Sequence, residues 1–188
     1  YMIVPFDDKA DIYIVNTCTV TNIADRKSRQ MLHRAKKRNP DAVVVAVGCY
    51  VQTGKEEALL DGSIDLAVGN NRKKDLLPIL EAFLEERERN RAEAGRDAAA
   101  DVKTLHYTSV VDISREEAYE EMSLSGWNKE DGGASQRTRA YIKIQDGCNQ
   151  FCSYCIIPYA RGRVRSRKPE DVVAEVEGLV ARGYREVV

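Results

Sequence analysis

The sequence lacks any long apolar run and lacks a secretory leader at its start. No stretch approaches the roughly 18 apolar residues that a membrane-spanning helix needs. The first residues, Tyr-Met-Ile-Val-Pro-Phe-Asp-Asp, do not show the basic and then apolar pattern of a signal peptide. These absences argue against a membrane or secreted protein and predict a soluble protein of the cytoplasm.

Histidine and net charge are also scarce. The 188 residues include 2 histidines and carry a formal net charge of −1, so the whole chain is not a polycation. Its basic residues are instead concentrated in two runs, residues 26–38 and 161–168. Local basic patches can bind phosphate even when the net charge is close to zero. Either run could instead be a solvated charged surface. That alternative is favoured for residues 26–38, whereas the position of residues 161–168, soon after a cysteine motif, argues for phosphate binding.

The cysteine content excludes a secreted disulfide framework. There are 5 cysteines, an odd number, and three of them are crowded together. In a chain without a leader sequence, clustered cysteines favour metal chemistry in a reducing compartment.

The crowded cysteines are Cys148, Cys152 and Cys155, with the spacing Cys-x3-Cys-x2-Cys. This spacing can direct three thiolates to one small volume. A structural zinc site is closed by four ligands, and an ordinary [4Fe–4S] cluster also uses four cysteines. A cluster held by three thiolates leaves one iron open to bind a cofactor or substrate. The alternative is a zinc knuckle whose fourth ligand is distant, with His33 and His106 as candidates.

Alternating strands and helices predict an α/β fold. Apolar runs rich in β-branched residues predict strands at residues 11–16, 42–47 and 64–69, and amphipathic or helix-forming segments predict helices at about 22–38, 53–60 and 75–90. This order indicates a parallel sheet with right-handed crossovers. Ligand sites in such sheets lie beyond the carboxyl ends of the strands.

The two remaining cysteines each follow a predicted strand. Cys18 comes after the first strand and Cys49 after the second. Because neighbouring parallel strands end at the same edge of a sheet, we expect these thiols to lie close together as a pair of metal ligands. A small buried side chain is the alternative role for an isolated cysteine.

The chain divides into three predicted parts: a first domain at residues 1–90, a linker or insertion at 91–136, and a second domain beginning at 137. Within the linker, residues 105–113 predict an edge strand and 115–123 a short helix. In the second domain, residues 138–145 predict a strand, 169–182 a helix and 186–188 the beginning of another strand. Both ends of the chain are expected to be cut within a fold. The three-cysteine motif lies between the strand predicted at 138–145 and the helix predicted at 169–182. It is therefore on a β-to-α loop, where barrel enzymes carry their chemistry.

Three strings resemble the methylthiotransferase branch of the radical S-adenosylmethionine enzymes. They are GCNQFCSYCIIPYARGR at 147–163, VNTCTVTNIADRKSR at 15–29 and GCYVQ at 48–52. Within that branch, ADRKSR and RGRVRSR favour the members that modify N6-threonylcarbamoyladenosine of tRNA over those that act on isopentenyladenosine or a ribosomal protein. The resemblance covers residues 1–84 and 137–188.

The resemblance implies an amino-terminal, parallel-sheet, three-layer methylthiotransferase domain, a linker, and the first β-α unit of a radical S-adenosylmethionine partial barrel. It also implies two [4Fe–4S] clusters. Cys148, Cys152 and Cys155 would hold the cluster whose open iron binds S-adenosylmethionine. Cys18 and Cys49 would be two of the three ligands of an auxiliary cluster that supplies or carries sulfur.

The implied substrate is the adenosine at position 37 of tRNA, which would be methylthiolated at C2, with flavodoxin or ferredoxin as the electron donor. Against the family pattern, the first auxiliary ligand would precede Tyr1, and the rest of the radical domain and an RNA-binding barrel would follow Val188. The chain alone is therefore expected to be inactive. Alternatives are methylthiolation of another tRNA adenosine or of a protein, and a non-catalytic zinc-binding RNA module.

Overall fold

The computed structural model describes residues 1–93, 107–119 and 139–188. Most of the predicted linker, including His106, lies outside these ranges. The division into domains at 90 and 137 therefore stays a prediction.

Four parallel strands form the main sheet, in the order β1-β2-β3-β4. They are β1 (Ile12–Thr17), β2 (Val43–Gly48), β3 (Leu66–Val68) and β4 (Tyr107–Ser109). Each strand pairs in parallel with the next. The predicted parallel α/β arrangement is confirmed, and β4 adds the edge strand expected within residues 105–113.

Helices connect these strands. They are α1 (Asn22–Arg38), α2 (Cys49–Thr53), α3 (Lys55–Leu60) and α4 (Leu76–Glu93), with a 3₁₀ turn at Asn70–Asp75 before α4. α1 matches its predicted bounds, and the Thr21 hydroxyl caps it by accepting the Ala24 N–H at 3.2 Å. The single helix predicted at 53–60 was wrong: the chain becomes helical directly after β2, and Gly54 separates α2 from α3.

The inner strands β2 and β3 are buried on both faces, with helices on either side, which makes this region three-layered. On one face, Leu32 and Ala35 of α1 pack against Val44 and Ala46 of β2. The opposite face packs against α4, and its core residues are Val43, Val45, Val47, Leu66, Val68, Ile79, Leu80 and Phe83. Because β2 is covered from both sides, all six of its residues are buried, which explains its continuous apolar sequence.

Shorter elements make up residues 139–188: β5 (Arg139–Ala140), β6 (Gln145–Asp146), α5 (Ile157–Arg161), β7 (Arg165–Ser166), α6 (Pro169–Ala181) and β8 (Glu186–Val187). The continuous strand predicted at 138–145 was wrong. Its two ends pair with different partners, because β5 pairs in parallel with β8 and β6 pairs antiparallel with β7. α6 and β8 confirm the predicted helix and the following strand.

The helix predicted at 115–123 was also wrong over its described part. A 3₁₀ turn at Ile113–Arg115 is followed by non-helical backbone to residue 119. The Asp112 carboxylate accepts the Ser114 N–H at 2.9 Å and so caps only this short turn. Ile113 is buried, which anchors the segment beside α5.

Candidate metal centres

The three-cysteine loop begins with a sharp turn at Gly147, directly after β6. Gly147 has φ of +77°, and a Cβ there would lie 2.0 Å from the carbonyl oxygen of Arg163. The next residue, Cys148, donates its N–H to the carbonyl of Gly162 at 3.1 Å. The loop is therefore closed at its base by backbone that follows α5, and this closure requires glycine at position 147.

The other two cysteines lie in a tight turn within the loop. The Cys155 N–H donates to the carbonyl of Cys152 at 2.9 Å. Phe151, immediately before this turn, has φ of +47°, a conformation that bulky side chains rarely adopt. Cys152 is exposed, whereas Cys148 and Cys155 are half-buried, and all three thiols are free. The loop backbone is thus held in an unusual conformation while its thiols remain accessible.

The side chains of this loop are suited to a soft, thiophilic group. Among the described residues, no three His, Cys, Asp or Glu side chains are grouped closely enough to hold a metal ion. The loop itself carries no carboxylate or imidazole between Cys148 and Cys155, so its donors are thiols alone. Such donors fit an iron–sulfur cluster or zinc. Their assignment as cluster ligands stays a prediction.

An aromatic cleft adjoins the loop. The rings of Phe151 and Tyr159 meet edge to face with centroids 5.8 Å apart, and the Arg163 guanidinium lies 5.4 Å from the Phe151 centroid. The cleft has a volume of about 480 Å³, and Gln52 and the 110–114 segment form its other wall. A space beside the cysteine loop is therefore lined by residues from both halves of the chain.

Cys18 and Cys49 follow strand ends that are paired in register. Thr17 of β1 pairs with Gly48 of β2, so the two cysteines leave the same edge of the sheet. The Thr17 hydroxyl donates to the carbonyl of Val47 at 2.7 Å and accepts the Tyr50 N–H at 3.3 Å. One buried hydroxyl thus joins the end of β1 to the first turn of α2, and the expected placement of the two cysteines at one edge is confirmed.

Each of these cysteines is held by a neighbouring polar residue. The Ser28 hydroxyl of α1 accepts the Cys18 N–H at 3.0 Å. The Cys49 sulfur accepts a hydrogen bond from the Asn70 amide at 3.3 Å, and Cys49 is only 4% exposed. The role of Cys18 and Cys49 as metal ligands stays a prediction.

A lysine lies beside the same sheet edge. The Lys73 ammonium donates to the side-chain oxygen of Asn16 at 3.2 Å. Burial lowers the pKa of Lys73, the nearby cations Lys143 and Arg161 lower it further, and Cys49 and Asp146 oppose the shift. Lys73 is therefore a partly buried amine whose charged neighbours come from both the Cys49 edge and the segment around β6.

The two cysteine regions are adjacent because α5 packs against α2. α2 begins at Cys49, and α5 begins two residues after Cys155. Asn70 completes the connection, since its side-chain amide also donates to the carbonyl of Ala160 in α5 at 2.5 Å. The fold therefore places the loop of three cysteines next to the edge that carries Cys49.

Sequence reasoning missed Ser28, Asn70 and Lys73. Ser28 offered a signal, because a serine on the apolar face of a predicted helix requires a partner. Asn70 directly follows the third predicted strand, so the rule that ligand sites lie at strand ends applied to it as well as to the cysteines. Lys73 offered no signal beyond its position in the same turn.

The second basic run divides into structural and exposed cations. Arg165 is 6% exposed and donates to the carbonyl of Arg161 at 2.7 Å. Arg167 forms an ion pair with Glu175 of α6. Arg161, Arg163 and Lys168 are exposed. Only these last three remain available for a polyanion.

The basic face of α1 is a solvated and ion-paired surface, as favoured by the sequence. Arg34 and Arg38 both pair with Asp7, at 2.5 and 3.1 Å. His33, a candidate fourth zinc ligand, is 63% exposed and its Nε2 lies 3.2 Å from a carboxylate oxygen of Asp61. The histidine is thus engaged on the surface of α1 by a residue outside the cysteine motifs.

Two family models match the chain. Residues 1–69 match the family described as "Uncharacterized protein family UPF0004", and residues 142–188 match the "Radical SAM superfamily". The first match contains Cys18 and Cys49, and the second contains the three-cysteine loop. In the described part of the chain, no helix combines the length and apolar character required to cross a bilayer.

Curated relatives match nearly the whole chain. The Threonylcarbamoyladenosine tRNA methylthiotransferase MtaB of Bacillus subtilis is 39% identical over 183 residues, which are 97% of this chain and 35% of the relative. The protein of the same name from Aquifex aeolicus is 41% identical over 188 residues, 100% of this chain and 40% of the relative. The tRNA-2-methylthio-N(6)-dimethylallyladenosine synthase of Christiangramia forsetii is 33% identical over 184 residues, 96% of this chain and 33% of the relative.

The chain thus spans two fifths or less of the length of these relatives. Together, the matches confirm that the chain is similar to the radical S-adenosylmethionine methylthiotransferases, with a UPF0004 region followed by a Radical SAM region.

Proposed function

We propose that the protein containing this chain transfers a methylthio group to C2 of N6-threonylcarbamoyladenosine at position 37 of tRNA, in the cytoplasm. The observation that supports this most strongly is the packing of α5 against α2, which brings the three-cysteine loop next to the Cys49 edge. A methylthiolation needs both a means of activating a C–H bond and a source of sulfur. Two adjacent cysteine sites are suited to this pair of tasks.

At the first site, Cys148, Cys152 and Cys155 would hold a [4Fe–4S] cluster with one open iron. At the second site, Cys18, Cys49 and a further ligand would hold an auxiliary [4Fe–4S] cluster. When bound, the first cluster supplies the reductive cleavage of S-adenosylmethionine that activates an unreactive C–H bond, with flavodoxin or ferredoxin as electron donor.

The chain's own residues position and shield these groups. The Gly147 turn and the Cys148 hydrogen bond to Gly162 fix the base of the loop. Ser28 holds the backbone of Cys18, and burial of Cys49 keeps water from that side of the second site. The Lys73 ammonium donates to the Asn16 side chain at the same sheet edge and so helps to fix the end of β1.

The substrate assignment rests on the similarity to tRNA methylthiotransferases and on the exposed cations beside the loop. Arg163 lines the aromatic cleft, and Arg161 and Lys168 are further exposed cations in the same basic run. Phosphate contacts of this kind provide affinity and register on a nucleic acid, and aromatic rings stack with unpaired bases. This surface therefore fits a single-stranded loop of RNA.

The test of this function is mass spectrometry of tRNA nucleosides from a strain lacking the full-length gene. We expect the methylthio group to disappear from N6-threonylcarbamoyladenosine and to return on complementation. Loss of the methylthio group from an isopentenyl-type adenosine instead would reassign the nucleoside. Unchanged tRNA with an altered ribosomal protein would overturn the assignment to RNA.

Removing the three exposed cations is expected to weaken tRNA binding. In the full-length protein with Arg161→Ala, Arg163→Ala and Lys168→Ala, the slope of log Kd against log salt should fall by roughly 0.7–0.9 for each phosphate that the variant no longer neutralises. The measurement is a filter-binding titration at several salt concentrations. The matched control removes the same charge from exposed positions of α1, with Arg26→Ala, Lys27→Ala and Lys37→Ala. Equal weakening by both triple variants would contradict a specific role for the loop cations.

A further inference from the structure

Asn70 connects the two candidate metal centres through one side-chain amide. Its Nδ2 lies 3.3 Å from the Cys49 sulfur and 2.5 Å from the carbonyl oxygen of Ala160. A primary amide carries two N–H donors, so it can serve both acceptors at once. One acceptor belongs to the predicted auxiliary site, and the other to the helix that follows the three-cysteine loop.

The rest of the residue is also fixed. The Asn70 backbone N–H donates to the Gln52 side-chain oxygen at 3.0 Å, and the Gln52 amide donates to the carbonyl of Val111 at 2.9 Å. The side chain of Asn70 therefore extends from a turn that is tied to α2. Ala160, its second acceptor, is fully buried. This arrangement restricts the positions that the amide can adopt.

The bond to sulfur has a defined electronic consequence. Hydrogen bonds to the sulfurs of an iron–sulfur cluster are among the factors that set its reduction potential. An N–H donor stabilises the more negatively charged state, so its presence raises the potential. Residues that orient metal ligands without binding the metal affect both affinity and activity. The bond to Ala160 adds a mechanical consequence, because it fixes α5 relative to the Cys49 sulfur.

We propose that Asn70 is a positioning residue that sets the reduction potential of the Cys49 centre and holds that centre in register with the three-cysteine loop. The inference rests on the proposed function, since it requires both clusters. It assigns to Asn70 two effects that a purely structural amide would not have: a shift in potential, and coupling between the two sites.

Other polar residues at this edge do not make the same contacts. Lys73 donates to Asn16, and Thr17 donates to the carbonyl of Val47. Ser28 contacts the backbone of Cys18. Among the side-chain hydrogen bonds of the described residues, the one from Asn70 is the bond that reaches a cysteine sulfur.

The experiment uses the full-length protein, reconstituted with iron and sulfide, in which the three loop cysteines are replaced by alanine so that only the Cys49 centre is loaded. Asn70→Ala removes the donor, and Asn70→Asp keeps the shape but replaces the donor with a carboxylate. Both variants are expected to shift the midpoint potential to more negative values, with Asn70→Asp shifted further. Asn90→Ala, in α4, is the matched control and should leave the potential unchanged.

Coupling is measured in parallel with all five cysteines intact. The number of S-adenosylmethionine molecules cleaved for each methylthiolated nucleoside should rise several-fold in both Asn70 variants and stay constant in Asn90→Ala. Selective loss of iron from the Cys49 centre would also support the proposal, since it would show that Asn70 holds that ligand. An unchanged midpoint potential together with an unchanged cleavage-to-product ratio would overturn the proposal. Loss of iron from both centres with a lowered melting temperature would also overturn it, because that result marks a structural role alone.

The same experiment separates this inference from the proposed function. If the unaltered full-length protein holds no iron–sulfur cluster or leaves tRNA unmodified, the proposed function fails. If it holds both clusters and modifies tRNA but the Asn70 variants behave like the control, only the role of Asn70 fails.

Discussion

The full-length protein with Cys152→Ala is expected to lose every trace of methylthiolation. Cys152 is the exposed middle member of the three-cysteine loop, and its thiol is free. With one of the three thiolates removed, the two remaining ligands cannot hold a stable cubane. The reconstituted iron content should fall from about eight to about four atoms per protein, because the auxiliary cluster proposed for Cys18 and Cys49 would remain. The visible charge-transfer absorption should fall in proportion.

The matched control for this change is Ser153→Ala. Ser153 is an exposed neighbour in the same loop and supplies no thiol. We expect its iron content and its tRNA product to equal those of the unaltered protein. Full activity in Cys152→Ala, or equal losses in both variants, would show that Cys152 is not a ligand.

Gly147→Ala is expected to have the next largest effect, by distorting the loop that carries all three cysteines. The new Cβ would lie 2.0 Å from the carbonyl oxygen of Arg163 and 2.7 Å from that of Gly162. Both neighbours are backbone atoms, so a side-chain rotation cannot relieve the overlap. The positive φ adds about 1 kcal/mol or more of strain for a residue with a Cβ. We expect the hydrogen bond between Cys148 and Gly162 to break and the loop cluster to be lost.

Gly178→Ala in α6 is the control for the glycine change. Apart from the neighbouring residues and the backbone of α6 itself, no atom lies within 4 Å of the Cβ that alanine would add there. Since glycine is a poor helix former, this substitution should stabilise the protein by roughly 0.8–1.0 kcal/mol and leave the iron content unchanged. Thermal unfolding and iron analysis of the two variants measure both effects. A Gly147→Ala protein with full iron content would contradict the geometric requirement at the loop base.

The alternation of strands and helices in the first 93 residues was predictable because local sequence determines it, whereas the division of the second helical segment into α2 and α3 was not. The β-branched run of β2 needs burial on both faces, and a central parallel strand provides it. Thr21 and Asn39 mark the two ends of α1, and the helix has the predicted bounds. Placement of Cys18 and Cys49 at one edge followed from parallel pairing alone.

Features that depend on distant partners were not predictable. Residues 138–145 alternate like one strand, but β8 and β7 pair with opposite ends of the segment and divide it. Arg165 and Arg167 belong to a run that is uniformly basic in sequence. Their burial depends on how α5 and α6 pack around them. The hydrogen bond between Asn70 and Ala160 joins residues 90 positions apart, so no local pattern indicates it.

The central claim is that three cysteines hold a cluster with one iron left open for S-adenosylmethionine. Its most direct test is the electron paramagnetic resonance spectrum of the reduced full-length protein with Cys18→Ala and Cys49→Ala, recorded with and without S-adenosylmethionine. We predict a [4Fe–4S] signal whose g-values shift when S-adenosylmethionine is added. A signal that does not respond, or a protein that binds zinc and shows no such signal, would contradict the claim.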